Sequence, residues 1–199
     1  KKLLEETDTD IVISDDGLQH YKLDRDMEIV VFDGIRGIGN NLCLPAGPLR
    51  EPIERLKDVD FIVSSSKRLD LDDIQEDCLM TYKPLEWVRL SDNRRFPAND
   101  WPLSRNVHAV AGIGNPSKFY NTLVALGLNL VEHSFPDHYQ FKEEDLNFQD
   151  NHPILMTEKD AVRCMDMKNK NLWYLSIEAD INDDGFKKEL LSKIKEIGG

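Results

Sequence analysis

The sequence predicts an α/β protein built on a mainly parallel sheet and divided into two lobes. Three observations carry that prediction. Short runs that are apolar on successive residues recur along the chain, amphipathic stretches of helical spacing alternate with them, and one proline-rich stretch without periodicity interrupts the alternation. Successive apolar residues, as opposed to alternate ones, suit strands buried on both faces, as parallel strands are.

In order along the chain, KKLLEETDTD reads as the last turns of a helix feeding a strand at Ile11 to Ile13, so the chain is expected to start inside a domain. Further strands are expected at Glu28 to Phe32, Val59 to Val63, Val107 to Ala111, Leu128 to Val131, Ile154 to Met156 and Leu172 to Ile177. Pro48 to Lys57 places Leu49, Ile53 and Leu56 at i, i+4 and i+7, and Ser117 to Leu126 offers an N-cap serine with Phe119, Leu123 and Leu126 on one face. Helices are also expected at Glu143 to Asp150, Lys159 to Met167 and Gly185 to Ile197. The stretch 83–104 holds Pro84, Pro97 and Pro102, Trp87 and Trp101, and the polar run SDNRR, and has no long period. It reads as a linker or ribbon between a first domain, 1–82, and a smaller α/β domain, 105–199.

The composition narrows the function classes. The 199 residues are 40% hydrophobic and 31% charged, enough to bury a sizeable core, and the net charge of −12 disfavours a nucleic-acid partner, which needs a basic face. Cys43, Cys78 and Cys164 are odd in number and form no C-x-x-C, so neither a disulfide framework nor a zinc site is expected and a reducing, cytoplasmic setting fits best. No apolar run approaches the roughly 20 residues that cross a bilayer.

Four stretches hold candidate chemistry. In IVISDDGLQHY, Asp15 and Asp16 stand at the carboxyl end of an expected parallel strand, where open α/β sheets bind ligands and where nucleotide hydrolases and kinases hold Mg²⁺. Gln19 and His20 can line the same mouth; the competing reading is a solvated Asp-Asp-Gly turn. In FDGIRGIGNNLCLPAGPLREP, Gly34, Gly37, Gly39 and Gly47 permit close approach to a ligand and Arg36 and Arg50 provide planar donors for phosphate, or the stretch is a long structural loop. GIGNPSKF carries half a dinucleotide fingerprint, with Phe119 and Tyr120 where a third glycine is expected, so a tight βα turn is the better reading. In SFPDHYQF, His138 beside Asp137 suits a general base or an oriented electrostatic group, against the alternative of a surface histidine. A fifth stretch, ILMTEKDAVRC, reads locally as structural: Thr157 caps a helix with Asp160 three residues on, and Lys159 near that start can meet an anion.

Taken together and in this order, ISDDGLQHYKLDRDMEIVVFDG, LPAGPLREPIERL, AVAGIGNPSKFY, FPDHYQF and ILMTEKDAVRC resemble the tetraacyldisaccharide 4′-kinase (lipid A 4′-kinase) family. The resemblance implies a P-loop-type α/β/α nucleotide domain joined by a two-stranded ribbon to a smaller α/β/α domain. It also implies transfer of the γ-phosphoryl of ATP, with Mg²⁺, to the 4′-hydroxyl of a tetraacyl glucosamine disaccharide 1-phosphate at the cytoplasmic face of the bacterial inner membrane, with peripheral attachment. By motif, Asp15 and Asp16 are then the Walker-B-like, metal-holding carboxylates, with Gln19 and His20 around metal and nucleotide. Arg50 and Glu51 face the phosphate-bearing site, and His138 is the histidine that approaches the reaction centre when the lobes close.

The sequence departs from the family at Tyr139, where a second histidine is expected, and at Ile38, where a phenylalanine is expected. The Walker A loop and an upstream aspartate are expected before residue 1, so the 199 residues alone are expected to be a fragment with little or no transfer activity. Two other classes compete: a non-catalytic module that holds a phosphosugar or nucleotide, and a dinucleotide-dependent oxidoreductase built on GIGNPS.

Overall fold

The computed structural model describes residues 6–68, 76–167 and 169–198. Of the helix end expected in KKLLEETDTD, residues 1–5 lie outside them. The fold is α/β, and it divides into two compact units: residues 1–82 together with 179–199, and residues 83–178.

The first unit is built on three parallel strands, β1 (Ile29–Asp33), β2 (Phe61–Ser65) and the opening of β3 (Cys78–Arg89), paired in register from Ile29 with Phe61 and from Val63 with Cys78. β2 is buried along its whole length, as its unbroken apolar-to-serine run requires. Its Phe61 and Val63 pack with Cys78, Met80 and Phe186, the last from a helix near the end of the chain, α3 (Asp184–Gly198). Lys193 of α3 lies over the Phe61 ring and pairs with Asp60 at 2.6 Å. β1 stands at the edge of the strand order, and Ile29 and Val31 remain exposed.

Two expectations fail in this unit. Ile11, Val12 and Ile13 form no strand and are exposed, Ile13 by 89%. An extended run needs a neighbour to take its backbone bonds, and among the described residues none pairs with it. Pro48 to Lys57 is not an α-helix: Pro52 disfavours helical backbone at Glu51, so helical structure begins only at Ile53 and persists as a 3₁₀ stretch, Ile53–Asp58.

The second unit holds the rest of β3, β4 (Arg95–Pro97), β5 (Asn106–Ala111), β6 (Asn129–Ser134), β7 (Ile154–Thr157) and most of β8 (Leu172–Ile181). β5 pairs in parallel with β6 on one side and β7 on the other, β7 pairs in parallel with β8, and β4 is antiparallel to β3. Alternate residues of β5 and β7 go to opposite faces. Val107, Ala109, Ala111 and Leu155 pack with Tyr120 and Leu123 of helix α1 (Pro116–Ala125). Val110, Ile154 and Met156 pack with Ala161 of a short helix, α2 (Glu158–Ala161), and with Cys164 beyond it. The unit is thus layered helix, sheet, helix.

The N-cap position of α1 is Asn115, which makes no side-chain capping bond, two residues ahead of the serine expected, and Pro116 opens the helix because a proline there loses no helical hydrogen bond. Glu143 to Asp150 yields only a 3₁₀ turn, Glu143–Leu146, with Leu146 buried. The stretch 83–104, read as a linker or ribbon, forms strand and hairpin, with β4 antiparallel to β3. Trp87 within it is wholly buried, donates to the Ala98 carbonyl at 2.9 Å and meets Trp101 edge to face. Leu123 has no exposed surface, so Leu123→Ala is expected to lower unfolding free energy by about 2–5 kcal/mol, read from urea denaturation.

The Val110 face of the second unit also carries a histidine cluster. His108, buried on β5, has Nδ1 2.9 Å from His133 Nε2 and Nε2 3.0 Å from Asp150 Oδ1. A nitrogen pair at that distance needs one donor and one acceptor, so both rings cannot be fully protonated. Burial, with a smaller contribution from His108, pushes the His133 pKa down. The unfolded chain therefore takes up a proton that the folded one resists, and stability is expected to fall as pH drops through about 6.5, levelling off below the folded pKa. His133→Gln should flatten that part of the profile, measured as urea midpoints at pH 7.5 and 5.5.

Candidate functional site

In the first unit, the turn after Ile13 and the loop before the 3₁₀ stretch meet around a cavity of about 310 Å³ whose lining includes Gln19, Arg36, Arg50 and Glu51. Arg50 Nη1 donates to Asp16 Oδ1 at 2.5 Å and to Gln19 Oε1 at 3.1 Å. Gln19 Nε2 in turn donates to Glu51 Oε1 at 2.6 Å. Four of the residues read from the sequence, separated by more than thirty positions along the chain, therefore form one bonded chain: Asp16, Arg50, Gln19 and Glu51.

The backbone reinforces the arrangement. Asp16 sits at φ 50°, a left-handed conformation that side chains other than glycine adopt at a cost and that is concentrated at functional positions. The turn itself is pinned by Arg25, which donates to the carbonyls of Gly17, Leu18 and His20 at 2.9–3.2 Å. Asp15 and His20 lie exposed on this turn, flanking the bonded set.

The electrostatics follow from these contacts. The Arg50 hydrogen bond, then its charge, holds the Asp16 carboxyl below the usual carboxylate range, with a minor contribution from His20. Glu51 is lowered chiefly by the hydroxyl of Tyr21, whose own pKa is raised by the same bond. Both carboxylates are thus ionised at neutral pH. Behind them, Arg55 lies 3.6 Å from Glu51 and 2.6 Å from Glu28. Tyr21, Arg25 and Arg55 were not singled out in the sequence. Tyr21 and Arg25 fall in or just after the Asp-Asp-Gly stretch, and Arg55 follows Glu51 at i+4, a spacing that brings the two together.

Asp15 and Asp16 fit Mg²⁺ by donor chemistry: they are adjacent, exposed hard oxygens, and Asp16 is bonded to Arg50, a planar donor that lines the cavity. Among the described residues no group of three or more His, Cys, Asp or Glu could hold a metal ion. Mg²⁺ nevertheless suits such a place, since it commonly takes one or two carboxylates and completes its shell with water and substrate phosphate.

His138 lies in the second unit, in the loop after β6, and also has left-handed backbone, φ 61°. Its N–H donates to the Gly112 carbonyl at 3.1 Å and to Asp137 Oδ1 at 3.0 Å. The ring is not oriented by the neighbouring carboxylate as the sequence suggests. Asp137 Oδ2 is 3.8 Å from Nε2, beyond a hydrogen bond, whereas Arg163 Nη2 is 3.2 Å from Nδ1. Lys159 pairs with Asp137 at 3.7 Å. Thr157 caps α2 as expected, accepting from the Asp160 N–H and donating to the Asp160 carboxylate at 2.7 Å.

Gly112 serves packing here: its N–H donates to Asp160, and an added Cβ would lie 3.2 Å from Phe141 and 3.3 Å from Asp160 and Tyr139. That favours the tight βα turn over a dinucleotide cradle. Tyr139 packs on Phe135 and Phe141 and donates to Asp145 at 3.3 Å.

The chain is 47% identical over 188 residues to the tetraacyldisaccharide 4′-kinase of Ruthia magnifica, covering 94% of this chain and 58% of that protein. It is 45% identical over 195 residues to that of Hahella chejuensis, covering 98% and 56%, and 49% identical over 181 residues to that of Legionella pneumophila, covering 91% and 54%. A crystal structure of LpxK from Aquifex aeolicus in complex with ATP matches with a TM-score of 0.66 and 25% identity, over 89% of this chain and 55% of that one. The chain thus spans little more than half the length of these relatives. The family model for tetraacyldisaccharide-1-P 4′-kinase matches residues 1–195, and with the motifs in one order along that span the chain belongs to this family.

Proposed function

We propose that this chain forms part of a kinase that transfers the γ-phosphoryl of ATP to the 4′-hydroxyl of tetraacyldisaccharide 1-phosphate in lipid A synthesis. The observation that carries the reading is the bonded chain Asp16, Arg50, Gln19 and Glu51 beside one cavity, which unites two of the family's motifs in ionised carboxylates and a phosphate-binding cation. The relatives' names and the ATP complex of the Aquifex protein support it.

In this reading Asp15 and Asp16 hold Mg²⁺, which when bound draws charge from the phosphoryl group in flight. Arg50 shares its guanidinium between Asp16 and Gln19 and turns toward phosphate oxygens, for which its planar fork is suited. Glu51 receives Gln19 and Tyr21 and so keeps the amide aimed at the cavity. His20 lines the nucleotide side, and His138 of the second unit acts at the acceptor hydroxyl. The first unit is taken as belonging to a P-loop-type domain, with the phosphate loop supplied by sequence that the relatives possess beyond the matched span. The 199 residues alone are accordingly expected to transfer little or no phosphate. Among the described residues no helix is long and apolar enough to cross a membrane, and the lipid substrate favours peripheral attachment at the cytoplasmic face of the inner membrane.

The test is phosphoryl transfer from Mg·ATP to the disaccharide by the full-length gene product, alongside the 199 residues alone. Transfer by the former supports the reading. Tight binding of ATP or phosphosugar without transfer would instead indicate a non-catalytic binding module.

A further inference from the structure

A bonded network of the second unit reaches His138 through Arg163 and the Gly112 carbonyl. Asp160, with no exposed surface, accepts from the Gly112 N–H at 3.1 Å, the Thr157 hydroxyl at 2.7 Å and Arg163 Nη1 at 2.9 Å. Arg163, largely buried, also reaches the Gly112 carbonyl at 3.4 Å, and its second amino group reaches His138 Nδ1 at 3.2 Å. The Gly112 carbonyl is the atom to which the His138 N–H donates. The histidine is therefore held at backbone and at ring by one network that starts from a buried carboxylate.

A guanidinium has donors only and keeps its charge at any working pH. Where it contacts Nδ1, that nitrogen must be the acceptor, so the neutral ring carries its hydrogen on Nε2. Nε2 is the nitrogen on the side of Asp137, 3.8 Å away, and the His138 side chain is 70% exposed. The left-handed backbone of His138 adds to this, since such a conformation persists only where surroundings over-determine it.

We propose that Arg163, held in place by Asp160, is a positioning residue that fixes His138 with Nδ1 as acceptor and Nε2–H directed outward, so that the histidine meets its substrate as a hydrogen-bond donor. The donor role suits an oxygen gaining negative charge and differs from proton abstraction through a bare Nε2. This rests on the reading of His138 as a reaction-centre group.

Two measurements on the full-length protein separate that reading from the proposal. Nitrogen-15 correlation spectra of the imidazoles at neutral pH distinguish the two tautomers. We expect Nε2–H in the wild type, a mixture in Arg163→Ala, and recovery of Nε2–H in Arg163→Lys, which restores a cationic donor. In transfer assays Arg163→Ala should lower kcat by up to about 10²-fold with KM for ATP little changed, and Arg163→Lys should recover part of it. If Arg163→Ala fails to fold because Asp160 is left unpaired, the double variant Asp160→Asn/Arg163→Ala removes the stranded charge and carries the same readout. An Nδ1–H tautomer in the wild type, or an unchanged tautomer in Arg163→Ala, overturns the proposal. Wild-type transfer by His138→Ala overturns the catalytic reading of that residue, and with it the kinetic part of the proposal, while leaving the tautomer result to stand or fall separately.

Discussion

Asp160→Ala is expected to lower the unfolding free energy by about 3–5 kcal/mol, read from urea denaturation of the full-length protein. The side chain is wholly buried and its oxygens receive three donors, one of them the Arg163 guanidinium. Truncation leaves that largely buried cation without its counter-charge, strands the Gly112 N–H and opens a void beside Gly112. Removing one member of a buried pair is far costlier than the pair's net worth, because desolvation of the survivor is no longer compensated. Asp160→Asn keeps the shape, but one carboxylate oxygen becomes an amide that faces donors. A smaller loss, about 1–3 kcal/mol, is expected for it. Wild-type midpoints in both variants would remove Asp160 from the framework of the second unit.

Asp16→Ala is expected to cost transfer activity about 10²- to 10³-fold while leaving the urea midpoint unchanged. The contrast with Asp160 comes from exposure. Asp16 and Arg50 are more than half exposed, and such pairs contribute little to folding. Its value is instead that of an ionised oxygen fixed by strained backbone at the cavity edge. Arg50→Ala should reduce transfer comparably, yet Asp16 then loses the partner that lowers its pKa. The rate in Arg50→Ala should therefore fall toward the acid side at a higher pH than in the wild type, because a carboxyl with a raised pKa takes up its proton earlier as pH drops. Rates measured on the full-length protein from about pH 3.5 to 7, a range that reaches down to the ordinary aspartate pKa, decide this; a wild-type rate in Asp16→Ala excludes that carboxylate from the chemistry.

Much of the sheet was legible in the sequence. β2, β5 and β7 are runs of successive apolar residues, and that pattern has few other uses in a chain this polar. Ile11 to Ile13 has the same local pattern and no strand, because a ladder needs a partner that a local pattern does not reveal. β3 is legible only as ribbon, for the converse reason. Its Tyr82 to Leu85 segment is mixed in character and contains Pro84, while Trp87 and Val88 that anchor it are wholly buried, Trp87 in a core shared with Val107, Leu123 and Leu155.

At the site, Asp16, Gln19, Arg50 and Glu51 were readable as residue types suited to phosphate and metal, and they do converge. Arg163 was not, since an arginine on a short helix has nothing in its neighbours to say that it will reach across to the loop of His138. The i, i+3 spacing of Asp160 and Arg163 was the one local sign of their pairing.

The return of the chain to the first unit at Ala179 has a consequence for biosynthesis. The second unit is one uninterrupted run, 83–178, whereas the core around Phe61 and Cys78 is closed by Phe186 and Leu190 of α3, which follows it. Domains fold as they leave the ribosome, amino end first. Here that order is inverted: β2 is made first and waits with its apolar face open, the second unit can complete itself meanwhile, and the first is sealed only when Phe186 and Leu190 follow.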